Sequence, residues 1–144
     1  MGLREKLLQK KVCIDTAPFI YYMEQHPHYG PIVQPVFEEI ERGNIQAITT
    51  NITLLEVLVQ PYRLGNEKLA QRYRDILLHA EGLTTVTISN EISNTAAKIR
   101  AKYAIRTPDA IQLASAIENN ADIFLTNDEA LKNISEIDVI CLND

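Results

Sequence analysis

The sequence predicts an α/β protein, a three-layer α/β/α sandwich built on a central parallel sheet of four or five strands. Three observations point there. Short runs rich in aliphatic and β-branched residues (KVCID, IQAIT, LTTVTI, DIFLT, VICL) recur along the chain. Segments with apolar residues at helical spacing separate them. The strand-like runs are apolar throughout rather than alternating, as expected where helices cover both faces of a sheet. With 144 residues, 46% of them hydrophobic, there is material for one such core, so residues 1–144 read as a single domain.

Residues 1–10 form a charged lead-in compatible with a short helix. Residues 11–15 (KVCID) read as a buried strand. Pro18 suits a first helical turn, and Phe19, Ile20 and Tyr22 continue the helix to about His26. Residues 31–42 (PIVQPVFEEIER) are amphipathic, with Pro35 delaying the helix start. Gly43-Asn44 marks a turn into a second strand, residues 45–49. Helices follow over residues 52–60 and 66–81, separated by a break at Pro61 and Gly65. Residues 83–88 (LTTVTI) form a third strand. Ile92, Ala96, Ile99 and Tyr103 give residues 89–104 a helical stripe. Thr107-Pro108 caps the next helix, PDAIQLASAIENN, and residues 122–126 (DIFLT) are the fourth strand. A short helix over residues 128–133 and a short strand over residues 139–142 complete the chain.

Composition narrows the function classes. No apolar run approaches the roughly 20 residues of a membrane span. The start, MGLREKLLQKK, lacks the apolar core of a secretory signal, so a cytoplasmic protein is expected. Cys13 and Cys141 lie in apolar runs and read as buried thiols; the lack of a CxxC pair argues against zinc ribbons and thioredoxin-like chemistry. The net charge of −5 is the opposite of what nucleic-acid binding favours, unless some of the acids are neutralised by bound cations.

Four acids stand where acids are least expected. Asp15 closes the first strand, and no other charged residue lies between Lys11 and Glu24. Glu56 interrupts the apolar run ITLLEVLVQ, which implies a helix buried on most sides. Asp109 sits in the first turn of a small-residue helix, and Asp128 just beyond the fourth strand in FLTND. Each has an ordinary alternative. Asp15 and Asp128 can serve as helix caps, Asp109 can be an ordinary first-turn acid behind Thr107 and Pro108, and Glu56 can emerge at an exposed helix edge. Together they point to one crevice at the carboxyl ends of the strands. Clustered carboxylates raise one another's pKa unless hard cations such as Mg²⁺ or Mn²⁺ offset the repulsion. Two such ions can activate water and stabilise the leaving oxygen of a phosphodiester. Thr126 and Asn127 are placed to support the carboxylates.

Taken in order, VCIDTAPFIYYM, TLLEVLV, TPDAIQLASAI and IFLTND resemble the signature segments of the PIN-domain family, in particular VapC-type toxins of toxin–antitoxin modules. The resemblance implies a parallel sheet of four or five strands and a Mg²⁺- or Mn²⁺-dependent endoribonuclease whose cleavage leaves a 5′-phosphate. It further implies Asp15, Glu56, Asp109 and Asp128 as ligands to one or two ions, with Thr126 as a supporting hydroxyl. An antitoxin partner and a homodimer are implied as well. Two features depart from the family pattern: a longer lead-in before Asp15 and two extra prolines between His26 and Asn44.

Lys98, Lys102 and Arg106 recur at i, i+4 and i+8 and read either as contacts to an RNA backbone or as a solvated helix face. His26 and His28, flanking Pro27, read as a polar loop, and Tyr21 and Tyr22 as core aromatics. Haloacid-dehalogenase-like phosphatases require a second Asp where Ala17 stands, receiver domains a Lys ending a late strand, and dinucleotide binding a Gly-rich turn. The remaining alternative is a PIN-like module that binds RNA or protein without cutting.

Overall fold

In the computed structural model, which covers residues 1–144, five strand segments pair into one all-parallel sheet of order β3-β2-β1-β4-β5. The strands are β1 (Lys11–Ile14), β2 (Gln46–Thr50), β3 (Leu83–Val86), β4 (Ile123–Thr126) and β5 (Asp138–Cys141). The helices are α1 (Leu3–Leu7), α2 (Thr16–Met23), α3 (Gly30–Glu41), α4 (Asn51–Arg63), α5 (Glu67–His79), α6 (Asn90–Lys102) and α7 (Thr107–Glu118). A 3₁₀ turn over Glu129–Asn133 links β4 to β5.

Successive side chains of a strand point to opposite faces, and here both faces are covered. Val12, Ile14, Ala47, Ile123 and Leu125 pack with Leu7, Phe19, Val36, Tyr73 and Leu77 on the α1–α5 side. Cys13, Ile48 and Phe124 pack with Ile92, Ile99, Leu113 and Leu131 on the α6–α7 side. This two-sided burial is why the strands read as continuous apolar runs. Both cysteines are buried and free.

β1 is the hinge of the topology. From it the chain steps outward to β2 and β3, then returns to lay β4 against its other edge. Val12 is thus in register with Ala47 on one side and Ile123 on the other. The β1–β4 boundary is a topological switch point, where connections leave in opposite directions and open a crevice beyond the strand ends.

Several boundaries differ from expectation for local reasons. Asp15 leaves β1 and its side chain accepts from Thr16 N, so α2 begins at Thr16 rather than Pro18, and it ends at Met23. Pro35 does not delay α3, which starts at Gly30 and carries the proline inside it. Pro61 likewise sits within α4, buried, and the break falls after it, at Leu64 to Asn66. Gly65 there adopts φ +65°, which glycine tolerates without steric cost. Thr107 is the first residue of α7 rather than its cap; its hydroxyl receives Arg100 Nη1 at 2.9 Å.

Candidate functional site

Four acids separated in sequence share one crevice. Asp15, Glu56, Asp109 and Asp128 line a single open cavity of about 420 Å³, together with Thr16, Tyr21, Arg106, Thr126 and Asn127. Each comes from a different element: the end of β1, α4, the first turn of α7, and the end of β4.

Asp15 is the most constrained. Its backbone N–H donates to Leu125 O at 2.9 Å, prolonging the β1–β4 ladder by one residue. Oδ1 accepts from Thr16 N at 2.8 Å, and Oδ2 accepts from the Thr126 hydroxyl at 2.8 Å. Capping and site formation are therefore the same geometry. Burial holds the Asp15 carboxyl above the ordinary aspartate range, and the neighbouring Asp109 and Glu56 push the same way, against the lowering effect of those hydrogen bonds.

Asp109 is also raised, chiefly by burial, while Arg106 pulls it down and Asp128 and Glu56 push it up. Its partner is Arg106, whose Nε lies 3.5 Å from Oδ2; the carboxylate side chain is only 16% exposed and the arginine 78%. Glu56 accepts from the Thr16 hydroxyl at 2.6 Å. Asp128 accepts from Ala130 N at 3.0 Å, capping the 3₁₀ turn, while its own N–H donates to Thr126 Oγ1 at 3.1 Å. Thr126 thus ties two of the acids together through one hydroxyl.

Asn127 donates through Nδ2 to the Tyr21 hydroxyl at 3.0 Å. Its Oδ1 is buried without any hydrogen-bond partner. A buried orphan oxygen is costly, and here it belongs to a residue lining a pocket rich in carboxylates. Every available donor is oxygen, the set that hard divalent cations select over thiolate or imidazole. Four acids face one arginine in the cavity lining. No three of the acids close into a compact preformed cage. They ring the pocket, with side-chain freedom left at Glu56 and Asp128, both exposed.

One expectation requires correction. The helix carrying Glu56 is not buried on most sides: Leu55, Val59 and Tyr62 are 61%, 38% and 54% exposed, and only Thr53, Val57 and Pro61 are buried. Its apolar residues outnumber its core positions, so hydrophobicity overstated burial. Of the three cations read as either RNA-backbone contacts or a solvated helix face, only Arg106 lines the cavity; Lys98 is exposed, and Lys102, the last residue of α6, pairs with Glu136 at 3.2 Å. The sequence reading passed over Gln112, Thr49, Thr50 and Thr53, all buried beside Asp15. The available signal was a polar residue inside the apolar stretch AIQLASAI, the same kind that singled out Glu56.

In open parallel α/β sheets ligands bind in the crevice beyond the carboxyl ends of the strands at the switch point, which is where these carboxylates gather. The chain belongs to the PIN domain family, whose model matches residues 12–137. Its fold resembles that of VapBC2 from Rickettsia felis bound to a promoter DNA fragment, with a TM-score of 0.73, 19% identity, and coverage of 91% of this chain and 98% of that one. It resembles a toxin–antitoxin complex from Klebsiella pneumoniae at TM-score 0.69 and 22% identity, covering 91% and 97%. A third likeness is to VapC20 of Mycobacterium tuberculosis, a toxin cleaving the sarcin–ricin loop, at TM-score 0.64 and 11% identity, covering 78% and 86%. No curated protein sequence matches the chain. No helix is long and apolar enough to cross a membrane.

Proposed function

We propose that this chain is a divalent-cation-dependent endoribonuclease, acting in the cytoplasm as the toxin of a toxin–antitoxin pair. The observation that carries the reading is the convergence of four carboxylates on a single cavity with only Arg106 as counter-ion. In it, Asp15, Glu56, Asp109 and Asp128 hold Mg²⁺ or Mn²⁺, one ion or two, with Thr126 and Asn127 in support. A bound cation would lower the pKa of a coordinated water, so that its loss of a proton yields a hydroxide nucleophile for a phosphodiester, and would supply charge to stabilise the leaving oxygen.

The chain's own residues do the rest. The Thr16 N–H and the Thr126 hydroxyl fix the two oxygens of Asp15. The Thr16 hydroxyl orients Glu56. Arg106, exposed and bound to Asp109 at 3.5 Å, is positioned to exchange that carboxylate for a substrate phosphate once a cation neutralises the acid. The likeness to toxin–antitoxin complexes supports an inhibitory protein partner.

The test is cleavage of a labelled RNA pool by purified protein with Mn²⁺, with Mg²⁺ and with excess chelator. Cleavage should need the metal, fall at least about 100-fold in Glu56→Gln, and stop on adding the antitoxin. Glu56 is exposed, so this variant should fold normally. RNA binding without cleavage under all metal conditions would instead support the non-catalytic module.

A further inference from the structure

Behind Asp15 lies a buried polar cluster with no role so far. Gln112, one turn along α7 from Asp109, is 1% exposed, and Thr49, Thr50 and Thr53 are fully buried around it. Gln112 Nε2 donates to Thr53 Oγ1 at 2.7 Å and lies 3.5 Å from Asp15 Oδ1. Its Oε1 accepts from the Thr50 hydroxyl at 2.5 Å. The amide orientation is forced. Thr50 Oγ1 already accepts from Ile52 N at 3.1 Å and has its proton to give, while the flipped amide would turn an oxygen toward the Asp15 carboxylate.

Counting protons shows what Gln112 contributes. Each threonine hydroxyl has one. Thr49 lies 2.8 Å from the Ile14 carbonyl and Thr16 lies 2.6 Å from the Glu56 carboxylate, and both of those partners can only accept. Thr53 is within 2.9 Å of Thr49 and 3.2 Å of Thr16, so its single proton has two claimants. The cluster is short of donors, and the Gln112 amide is the one group that supplies them without needing any in return from Thr53. It touches Asp15 directly and reaches Glu56 through Thr53 and Thr16.

We propose that Gln112 is a positioning residue that fixes Asp15 and Glu56 relative to each other and so sets the affinity of the pocket for a divalent cation. This rests on the metal-dependent reading of the site. A glutamate at this position would place a further carboxylate against Asp15, and a leucine would leave Thr53 without this donor and the Thr50 hydroxyl without its acceptor.

The experiment is calorimetric titration of Mn²⁺ alone into the metal-stripped full chain. It compares wild type, Gln112→Leu, Thr53→Val, Thr53→Ser and the Gln112→Leu/Thr53→Val double variant, with circular dichroism confirming the fold of each. Outer-shell partners of metal ligands are worth about 10- to 100-fold in affinity, and a loss of at least about tenfold is expected for Gln112→Leu and for Thr53→Val. Thr53→Ser, which keeps the hydroxyl, should bind within about twofold of wild type, and the double variant should be no weaker than about twofold beyond the worse single one. A folded Gln112→Leu that binds Mn²⁺ like wild type, or losses that simply multiply in the double variant, would overturn the assignment. Should Gln112→Leu not fold, the threonine pair decides: a loss confined to valine supports the relay, and equal behaviour of valine and serine defeats it. Wild type that takes up no Mn²⁺ would remove the metal reading itself, a result distinguishable from an unaffected Gln112→Leu.

Discussion

Replacing Asp15 by Asn separates a cation ligand from a structural acid, because the two readings differ in sign. In the metal-free protein, asparagine retains an oxygen to accept from Thr16 N and presents an amide to Thr126 Oγ1, which can accept in place of donating. Weakening those charge-assisted bonds costs roughly 1–2 kcal/mol, and removing a buried charge beside Asp109 and Glu56 offsets a similar amount, so the net change is within about 1 kcal/mol. For a chain of this length that is a shift of at most about 4 °C in Tm. With Mn²⁺ at about 100 times the dissociation constant, wild type gains about 2.7 kcal/mol, or about 10 °C. If the variant binds about 100-fold more weakly, its gain at the same concentration falls to about 0.4 kcal/mol, about 1–2 °C. Thermal unfolding followed by circular dichroism, in chelator and in Mn²⁺, reads both quantities. A variant that loses 10 °C or more in chelator, or keeps the full Mn²⁺ gain, would refute the reasoning.

The pH dependence supplies a second arm. The folded-state carboxyl of Asp15 lies above its unfolded value, so the native chain holds this proton more tightly than the unfolded one. Its contribution to metal-free stability is therefore fully present below the ordinary aspartate pKa of about 4 and is lost as pH rises through the raised folded value. Glu136 works in the opposite sense. Tyr103 holds it down at about 2, so its contribution is present above the ordinary glutamate range and is lost only as pH falls toward that value. The wild-type minus Asp15→Asn difference isolates the aspartate, and it should favour wild type progressively as pH falls toward 4.

Two further substitutions test other parts of the account. Leu55, Val59 and Tyr62 share an exposed apolar face of α4 beside Glu56, a candidate surface for the homodimer that the family resemblance implies. Val59→Glu should convert a dimer to a monomer in light scattering while leaving the Tm of the monomer unchanged to within about 2 °C; a wild type that is monomeric at micromolar concentration would dismiss the dimer. Gly82 has φ +80°, and a Cβ there would stand 2.6 Å from the Ile40 carbonyl oxygen. Gly82→Ala should lower stability by at least about 2 kcal/mol in denaturant unfolding, and a loss under about 0.5 kcal/mol would show that the turn into β3 relaxes freely.

The legibility of this molecule varies from residue to residue. Asp15 and Asp128 could be found because an acid ending an apolar strand is costly without a purpose, and strand topology then places both at the sheet's carboxyl edge. Glu56 could be found by its isolation, yet the burial inferred for its helix was wrong, since apolar content does not say which faces are covered. Lys102 allowed two readings, an RNA-backbone contact or a solvated helix face, and its pairing with Glu136, 34 positions later, is invisible without the fold. Gln112 escaped because its partners are Thr50, Thr53 and Asp15, distant in sequence, and a lone glutamine in an alanine-rich helix looks like a surface residue.

By itself, then, the amino-acid order determined the alternation of strand and helix, the two-sided burial of the sheet and the identity of the four acids. These depend on local spacing and on the cost of burying charge, both written along the chain. Only the tertiary structure decided that β4 returns to the free edge of β1, which is what gathers the acids around one cavity. It alone decided which single arginine faces them and which glutamine stands behind them. Those are consequences of distances between residues roughly 50 to 110 positions apart, fixed by packing of the whole core rather than by any segment of it.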